Sequence, residues 1–223
     1  MRVERCFAFI DLSGFTAFTE HFGDDRTVTV LTGFRGLVRE IAARRGVRVT
    51  KWLGDGAMLS SADTSAVVAM VVELAERVPD SVPLGIRAGL ANGPVIMFEG
   101  DDYIGRPANV ASRLCDAASE GQILSTREVA SQAPRWVAAG PFQPYLVHGL
   151  DRPVEAAVLG IATSDSTTVD PCCGLTLPVQ RGLDTRFGPD NTVLRFCSTA
   201  CAVAWEESQR RPSTTVEVAS PAR

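Results

Sequence analysis

Asp11 closes an apolar run, Cys6-Phe7-Ala8-Phe9-Ile10, and Asp55 sits between two glycines in Gly54-Asp55-Gly56. An acid at the end of such a run is costly to bury unless something pairs with it. Asp55 has a purely structural alternative, because Asp-Gly is a favoured hairpin turn. If the strand ending at Asp11 lies beside that hairpin, two carboxylates converge with no basic partner, and such oxygen donors suit Mg²⁺ or Mn²⁺. Two ions about 3.5–4 Å apart can clamp a phosphoryl centre during in-line displacement. Gly14 and the backbone N–H groups of Phe15 and Thr16 open a helix, a natural cradle for phosphate. Lys51 is the only lysine in a chain otherwise served by arginine. Asn109 and Arg113 are four apart and share a helical face. Four of the six cysteines, Cys172, Cys173, Cys197 and Cys201, cluster near the C-terminus and suggest a metal more than a disulfide framework. Cys6 and Cys115 read as ordinary buried thiols.

The elements that must position these residues follow from periodicity and punctuation. Residues 5–10 read as a strand running into Asp11, and Leu12 to Thr16 as a loop turning into a helix. Asp24 or Asp25 is placed to cap the next helix, whose apolar positions Val28, Leu31, Phe34, Leu37, Val38 and Ile41 recur at helical spacing; Gly46 ends it after Arg44-Arg45. Residues 47–53 and 57–60 form a hairpin, and 64–78 a helix ended by Pro79. Residues 84–91 and 94–98 read as two strands around Asn92-Gly93. A helix over about 107–118, a strand at 122–125, a short helix near 127–132 and a hairpin of 145–147 with 154–161 complete the domain. The order β-α-β-β-α-β is that of an α+β, ferredoxin-like (split βαβ) layout, with antiparallel strands covered on one face by helices. Residues 1–161 form this domain, 162–169 a Ser/Thr/Asp-rich linker, 170–211 a small cysteine-rich module and 212–223 a disordered tail.

A net charge of −4 without a basic tract argues against nucleic acid as the main partner. No apolar stretch approaches the roughly 20 residues that span a bilayer, and no secretory segment follows Met1, so the expectation is a cytoplasmic protein without a membrane partner.

Three segments in order resemble the class III adenylyl/guanylyl cyclase domain: Phe9-Ile10-Asp11-Leu12-Ser13-Gly14-Phe15-Thr16, Lys51-Trp52-Leu53-Gly54-Asp55-Gly56, and Asp102-Tyr103-Ile104-Gly105 followed by Asn109-Val110-Ala111-Ser112-Arg113-Leu114. The resemblance covers about residues 4–161. It implies that Asp11, Ile10 and Asp55 are the positions for two Mg²⁺ or Mn²⁺ ions, that Lys51 and Asp102 read adenine, and that Asn109 and Arg113 serve the transition state, with Phe15 and Thr16 on the substrate. It implies ATP as substrate, cyclic AMP and pyrophosphate as products, and a homodimer with composite sites. His148 stands near where many relatives carry a basic residue for the triphosphate, a departure that Arg152 is placed to compensate. The Gly-Gly-acid-Glu-Phe turn of diguanylate cyclases is absent. Asp170-Pro171-Cys172-Cys173-Gly174 and Phe196-Cys197-Ser198-Thr199-Ala200-Cys201 resemble YHS/TRASH-type modules, which implies Zn²⁺ or Cu⁺ on Cys172, Cys173, Cys197 and Cys201. The alternatives are a non-catalytic nucleotide-binding regulatory domain, a guanylyl cyclase, and a metal sensor with an accessory cyclase-like fold.

Overall fold

The computed structural model describes residues 1–98, 102–179 and 182–210. In chain order the first half comprises β1 (Arg2–Leu12), α1 (Phe15–Phe22), α2 (Asp24–Arg45), β2 (Arg48–Leu53), β3 (Gly56–Ser61), α3 (Thr64–Ser81) and β4 (Ile86–Phe98). The second comprises β5 (Asp102–Ile104), α4 (Arg106–Ala117), β6 (Ile123–Thr126), α5 (Arg127–Ala130), β7 (Val137–Ala139), β8 (Gln143–Tyr145) and β9 (Val154–Ile161). Then follow β10 (Thr167–Val169), β11 (Thr176–Pro178), β12 (Asp184–Phe187), β13 (Val193–Phe196) and α6 (Thr199–Arg210). None of the described helices is long and apolar enough to cross a membrane.

One large sheet runs β2-β3-β1-β4-β6-β9-β7, with β5 added to β4 and β8 to β9. Its first four strands are antiparallel in the order 2-3-1-4, which is the split βαβ arrangement expected from the sequence. β1 is central, and from Cys6 to Leu12 its side chains are buried or half-buried on both faces. Ala8, Ile10 and Leu12 pack under Phe34, Val38 and Ile41 of α2 and Val67, Val71 and Leu74 of α3. Phe7 faces the other way, onto Val110, Ala111 and Leu114 of α4. The expectation of helices on one face is therefore corrected: α4 covers the second. The unbroken apolar run of β1 is the sequence mark of a strand buried on both faces. α4 lies so close to β4 that a Cβ on Gly89 would stand 2.2 Å from both the Ala111 carbonyl oxygen and the Cys115 nitrogen.

Local details differ from the sequence reading for identifiable reasons. Asp24 and Asp25 lie in the first turn of α2 and neither caps it, because Gly23 holds the cap position. α3 is capped by Asp63, which accepts from the Ala66 N–H, and continues past Pro79 to Ser81; a proline obstructs the turn before it, not the residues after it. β4 is one strand of 13 residues through Asn92-Gly93, since Gly93 takes φ 146° and keeps its place opposite Arg5 of β1.

The end of the expected linker is β10, which pairs with β11. The cysteine-rich segment also shares the core of the larger sheet: Cys173, Leu175, Leu177, Phe196, Cys197 and Cys201 belong to the same buried cluster as Phe34 and Leu74. Trp136 donates its indole N–H to the Cys197 carbonyl at 2.8 Å. Arg211 and the expected tail over 212–223 lie outside the described residues.

Gly89→Ala is expected to destabilise the chain by about 3 kcal/mol in chemical denaturation, the upper range for overpacking. Gly140→Ala, whose added Cβ meets only a carbonyl oxygen at 3.6 Å, is expected to stay within about 0.5 kcal/mol.

Candidate active site

Register places the acids. In β1, Asp11 stands opposite Gly56 of β3 on one side and Arg87 of β4 on the other. β2 and β3 are joined through Gly54-Asp55, with Leu53 facing Gly56. Gly54 supplies the positive φ, 65°, at the first turn position, where glycine is the residue without steric cost. Gly56 has a different duty, since a Cβ there would lie 2.5 Å from the Ile10 carbonyl oxygen and 3.2 Å from Asp11 Oδ1. Its hydrogen lets the hairpin close onto β1. Ile10 has an alkyl side chain, buried in the core, so its carbonyl is the only group it could offer an ion.

Asp55 is raised from its ordinary value by burial first and by the charge of Asp11 second, with Arg87 acting in the opposite sense. The two carboxylates thus converge and repel, as the sequence suggested. The absence of a basic partner was not correct: Arg87 donates Nε and Nη2 to Asp11 Oδ2 at 3.0 and 2.7 Å. One oxygen of Asp11 is held by arginine, and the other faces the hairpin. Two carboxylates and a carbonyl in a cradle that a single Cβ would obstruct fit a hard divalent cation. Ser13 adds a buried hydroxyl without a hydrogen-bond partner among the described residues, in the loop that leads to the first turn of α1. There Gly14 takes φ 77°, Phe15 is half-buried and Thr16 is exposed.

A second couple forms away from the acids. Lys51 Nζ lies 2.9 Å from Asp102 Oδ1, with both side chains about half exposed. The lysine holds Asp102 below the ordinary carboxylate range, and the Tyr103 N–H, 2.9 Å from the same oxygen, works in the same direction. Asn109 and Arg113 are both exposed on α4. Arg113 bonds Asp116 at 3.1 Å, and the carbonyl of Asp116 accepts from Arg87 at 3.3 Å. The fold therefore joins Asp11 with Asp55 and Lys51 with Asp102, and it leaves Asn109 and Arg113 on an open helical face. His148 is exposed, and Arg152 lines a shallow pocket with Arg106, Leu150 and Asp151.

The cysteines form a third cluster. Donor atoms of Asp170, Cys173, Cys197 and Cys201, all buried, lie within 4.8 Å of one another. Cys197 Sγ is 3.8 Å from Cys173 Sγ and 3.4 Å from Cys201 Sγ. Asp170 accepts the N–H groups of Cys172 and Cys173 on one oxygen and that of Cys197 on the other, so it ties the two halves of the module together. Cys172 stands at the rim, half-buried, its thiol lowered by a hydrogen bond with Cys201. Three of the four expected cysteines converge, and Asp170 joins them. The Asp-Pro before Cys172, a turn signal, was the sequence cue for it. Two arginines of α2 complete the shell: Arg44 donates to Cys201 Sγ at 2.6 Å and Arg45 to Cys197 Sγ at 3.1 Å. Cys6 and Cys115 behave as buried thiols, each pushed up to about 12 by burial.

No family model matches the chain. It is 36% identical over 149 residues to an uncharacterized protein of Mycobacterium tuberculosis, covering 66% of this chain and 39% of that protein. It is 35% identical over 143 residues to a pH-sensitive adenylate cyclase of the same species, covering 60% and 36%. The chain thus spans less than half the length of these curated relatives. Among solved structures, the adenylyl cyclase CyaB from P. aeruginosa superposes with TM-score 0.65 at 26% identity, covering 73% of this chain and 96% of that one. The guanylate cyclase domain of RhGC from Catenaria anguillulae, in complex with GTP, gives TM-score 0.65 at 17% identity, covering 73% and 100%; this likeness is one of fold.

The raised Asp55 carboxyl fixes a sign for pH dependence. A group that holds its proton more tightly when folded contributes stability below its unfolded value and loses that contribution as pH rises through the folded one. The metal-free chain should therefore lose stability above about pH 4 as Asp55 ionises beside Asp11. Asp55→Asn is expected to melt about 1–3 °C above the metal-free wild type at pH 7, with the difference closing near pH 3.5. A variant melting below wild type at pH 7 would contradict the repulsion.

Proposed function

We propose that this chain, whose larger sheet and helices have the class III nucleotidyl cyclase fold, is an adenylyl cyclase that converts ATP to 3′,5′-cyclic AMP and pyrophosphate. The observation that carries adenine over guanine is the Lys51–Asp102 couple. Adenine presents an acceptor at N1 and a donor at N6. An ammonium only donates and a carboxylate only accepts, so Lys51 to N1 and Asp102 to N6 satisfy that edge. Guanine reverses both groups and leaves each facing the wrong partner.

The acids and the base-reading couple serve different parts of one nucleotide. Asp11, Asp55 and the Ile10 carbonyl would hold the Mg²⁺ or Mn²⁺ ions. Bound there, the ions would supply the Lewis acidity that lowers the pKa of the ribose 3′-hydroxyl and offsets phosphate charge. The N–H groups of Phe15 and Thr16 open α1 toward the triphosphate. Arg113 stabilises the charge that builds on the α-phosphoryl oxygens while the 3′-oxygen bonds to phosphorus and pyrophosphate leaves. Asn109 holds the ribose so that attack stays in line. Asn109 and Arg113 stand on an exposed face, and the resemblance to class III cyclases implies that they meet the acids of a second copy, in a homodimer with two composite sites. Cys173, Cys197 and Cys201, with Asp170, would hold a thiophilic ion such as Zn²⁺ or Cu⁺. The seating of this cluster on α2 supports a regulatory role for it.

With Mn²⁺, wild type is expected to use ATP over GTP by about 10²-fold, and Lys51→Glu to reduce that ratio at least about tenfold. An unchanged ratio would remove Lys51 from base selection. Asp55→Ala and Arg113→Ala, each inactive alone, are expected to recover up to about a quarter of wild-type activity when mixed, because half the dimers then carry one intact site. No recovery from subunits shown to exchange would contradict the composite site.

A further inference from the structure

α2 touches both candidate metal sites. At its C-terminal end, Arg44 and Arg45 donate to Cys201 and Cys197. Ten residues earlier, Arg35 donates Nη2 to the Gly54 carbonyl at 2.7 Å, in the turn that carries Asp55. Arg35 and Arg39 also stack on the Trp52 ring, at 5.0 and 5.2 Å from its centroid. The cysteine cluster and the acid-bearing hairpin are thus gripped by the two ends of one rigid helical segment about 15 Å long.

Charge at the cysteine end depends on what that site holds. Arg44, Arg45 and Arg77 all pair with Glu73, which is fully buried, and Arg77 has Glu40 as a second partner. Glu73 alone does not balance Arg44 and Arg45, and the Arg45 side chain is only 1% exposed. Among the described residues, the other acceptors bonded to these guanidiniums are Cys201, Cys197 and the Ser198 hydroxyl. A thiophilic divalent ion binds as Cys173, Cys197 and Cys201 release their protons to solvent. With Asp170 ionised, three thiolates and one carboxylate around such an ion carry two net negative charges facing Arg44 and Arg45, whose combined charge Glu73 offsets only in part. With the site empty and the thiols protonated, the sulfurs become weak acceptors, and among the described residues Arg44 and Arg45 share Glu73 as their one carboxylate partner.

We infer that occupancy of the cysteine site, through Arg44 and Arg45, sets the hold of α2 on the Gly54-Asp55 turn, so that a thiophilic ion at Cys173, Cys197 and Cys201 tightens divalent-cation binding at Asp11 and Asp55. The inference rests on the proposed reading of both sites and adds the direction and route of their coupling. Coupling of this kind is reciprocal: divalent cation at the acids tightens the cysteine site by the same factor.

The test uses the full chain, prepared reduced and metal-free, then loaded with one equivalent of Zn²⁺ or left empty. Free Mn²⁺ is measured by electron paramagnetic resonance during titration, and folding is followed by circular dichroism. In wild type, zinc is expected to lower the Mn²⁺ dissociation constant at least about fivefold. Arg35→Leu, at the hairpin end of the route, and Arg44→Gln, at the cysteine end, are each expected to bind both ions and to lose that difference. Equal Mn²⁺ affinity with and without zinc in a wild type that binds both would overturn the coupling alone. A wild type that takes up no zinc refutes the cysteine-site reading, and Mn²⁺ binding that Asp55→Ala leaves unchanged refutes the acid-pair reading; either result removes the coupling with it.

Discussion

Two carboxylates pressed together at the end of a central strand are the constraint around which this structure is arranged. Asp11 and Asp55 repel, and burial adds to the penalty. They stay together because β1 is fixed in register between β3 and β4 along most of its length, and a slip of one residue would turn Asp11 to the other face. Gly56 removes the side chain that would hold the hairpin off β1, and Arg87 takes up one oxygen of Asp11. Local instability of this kind is what a cation held between the two carboxylates, as proposed above, would relieve. The rigidity that sustains it comes from a sheet covered on both faces, with α4 in backbone contact at Gly89.

The cysteine cluster is built differently but meets the same helical layer. Its sulfurs rest against Arg44 and Arg45, and those arginines rest on Glu73, which sits in the interior of the larger fold. Buried charges of this kind are costly to break by halves, and they tie the segment to α2 and α3. Its apolar residues extend the core over α2 and α3. Any change at the sulfurs is felt first by the helix that also holds the acid-bearing turn.

Much of this was legible in the chain because the residues concerned are locally exceptional. Asp11 ends an apolar run, Asp55 lies between glycines, and Lys51 is the only lysine; the fold brings both couples together. Arg87 was not legible. It is one arginine among many and lies 76 residues from Asp11, and only the β1–β4 register brings the two together. The second helical layer was missed because alternation along β1 is masked when both faces are apolar. Asp170 was hidden by its cysteine neighbours, and the Arg44–Glu73–Arg45 cluster by the ordinary look of a basic helix end. Continuation of β4 through Asn92-Gly93 shows the limit of turn signals, since a long partner strand overrides them.

The most direct measurement is production of cyclic AMP from ATP with Mn²⁺ by the purified chain beside Asp55→Ala. The expected result is cyclic AMP from wild type and a loss of at least about 10³-fold in the variant, with the fold of the variant intact. No cyclic AMP from a folded, dimeric wild type, or equal rates from the two proteins, would contradict the assignment of catalysis to the acid pair.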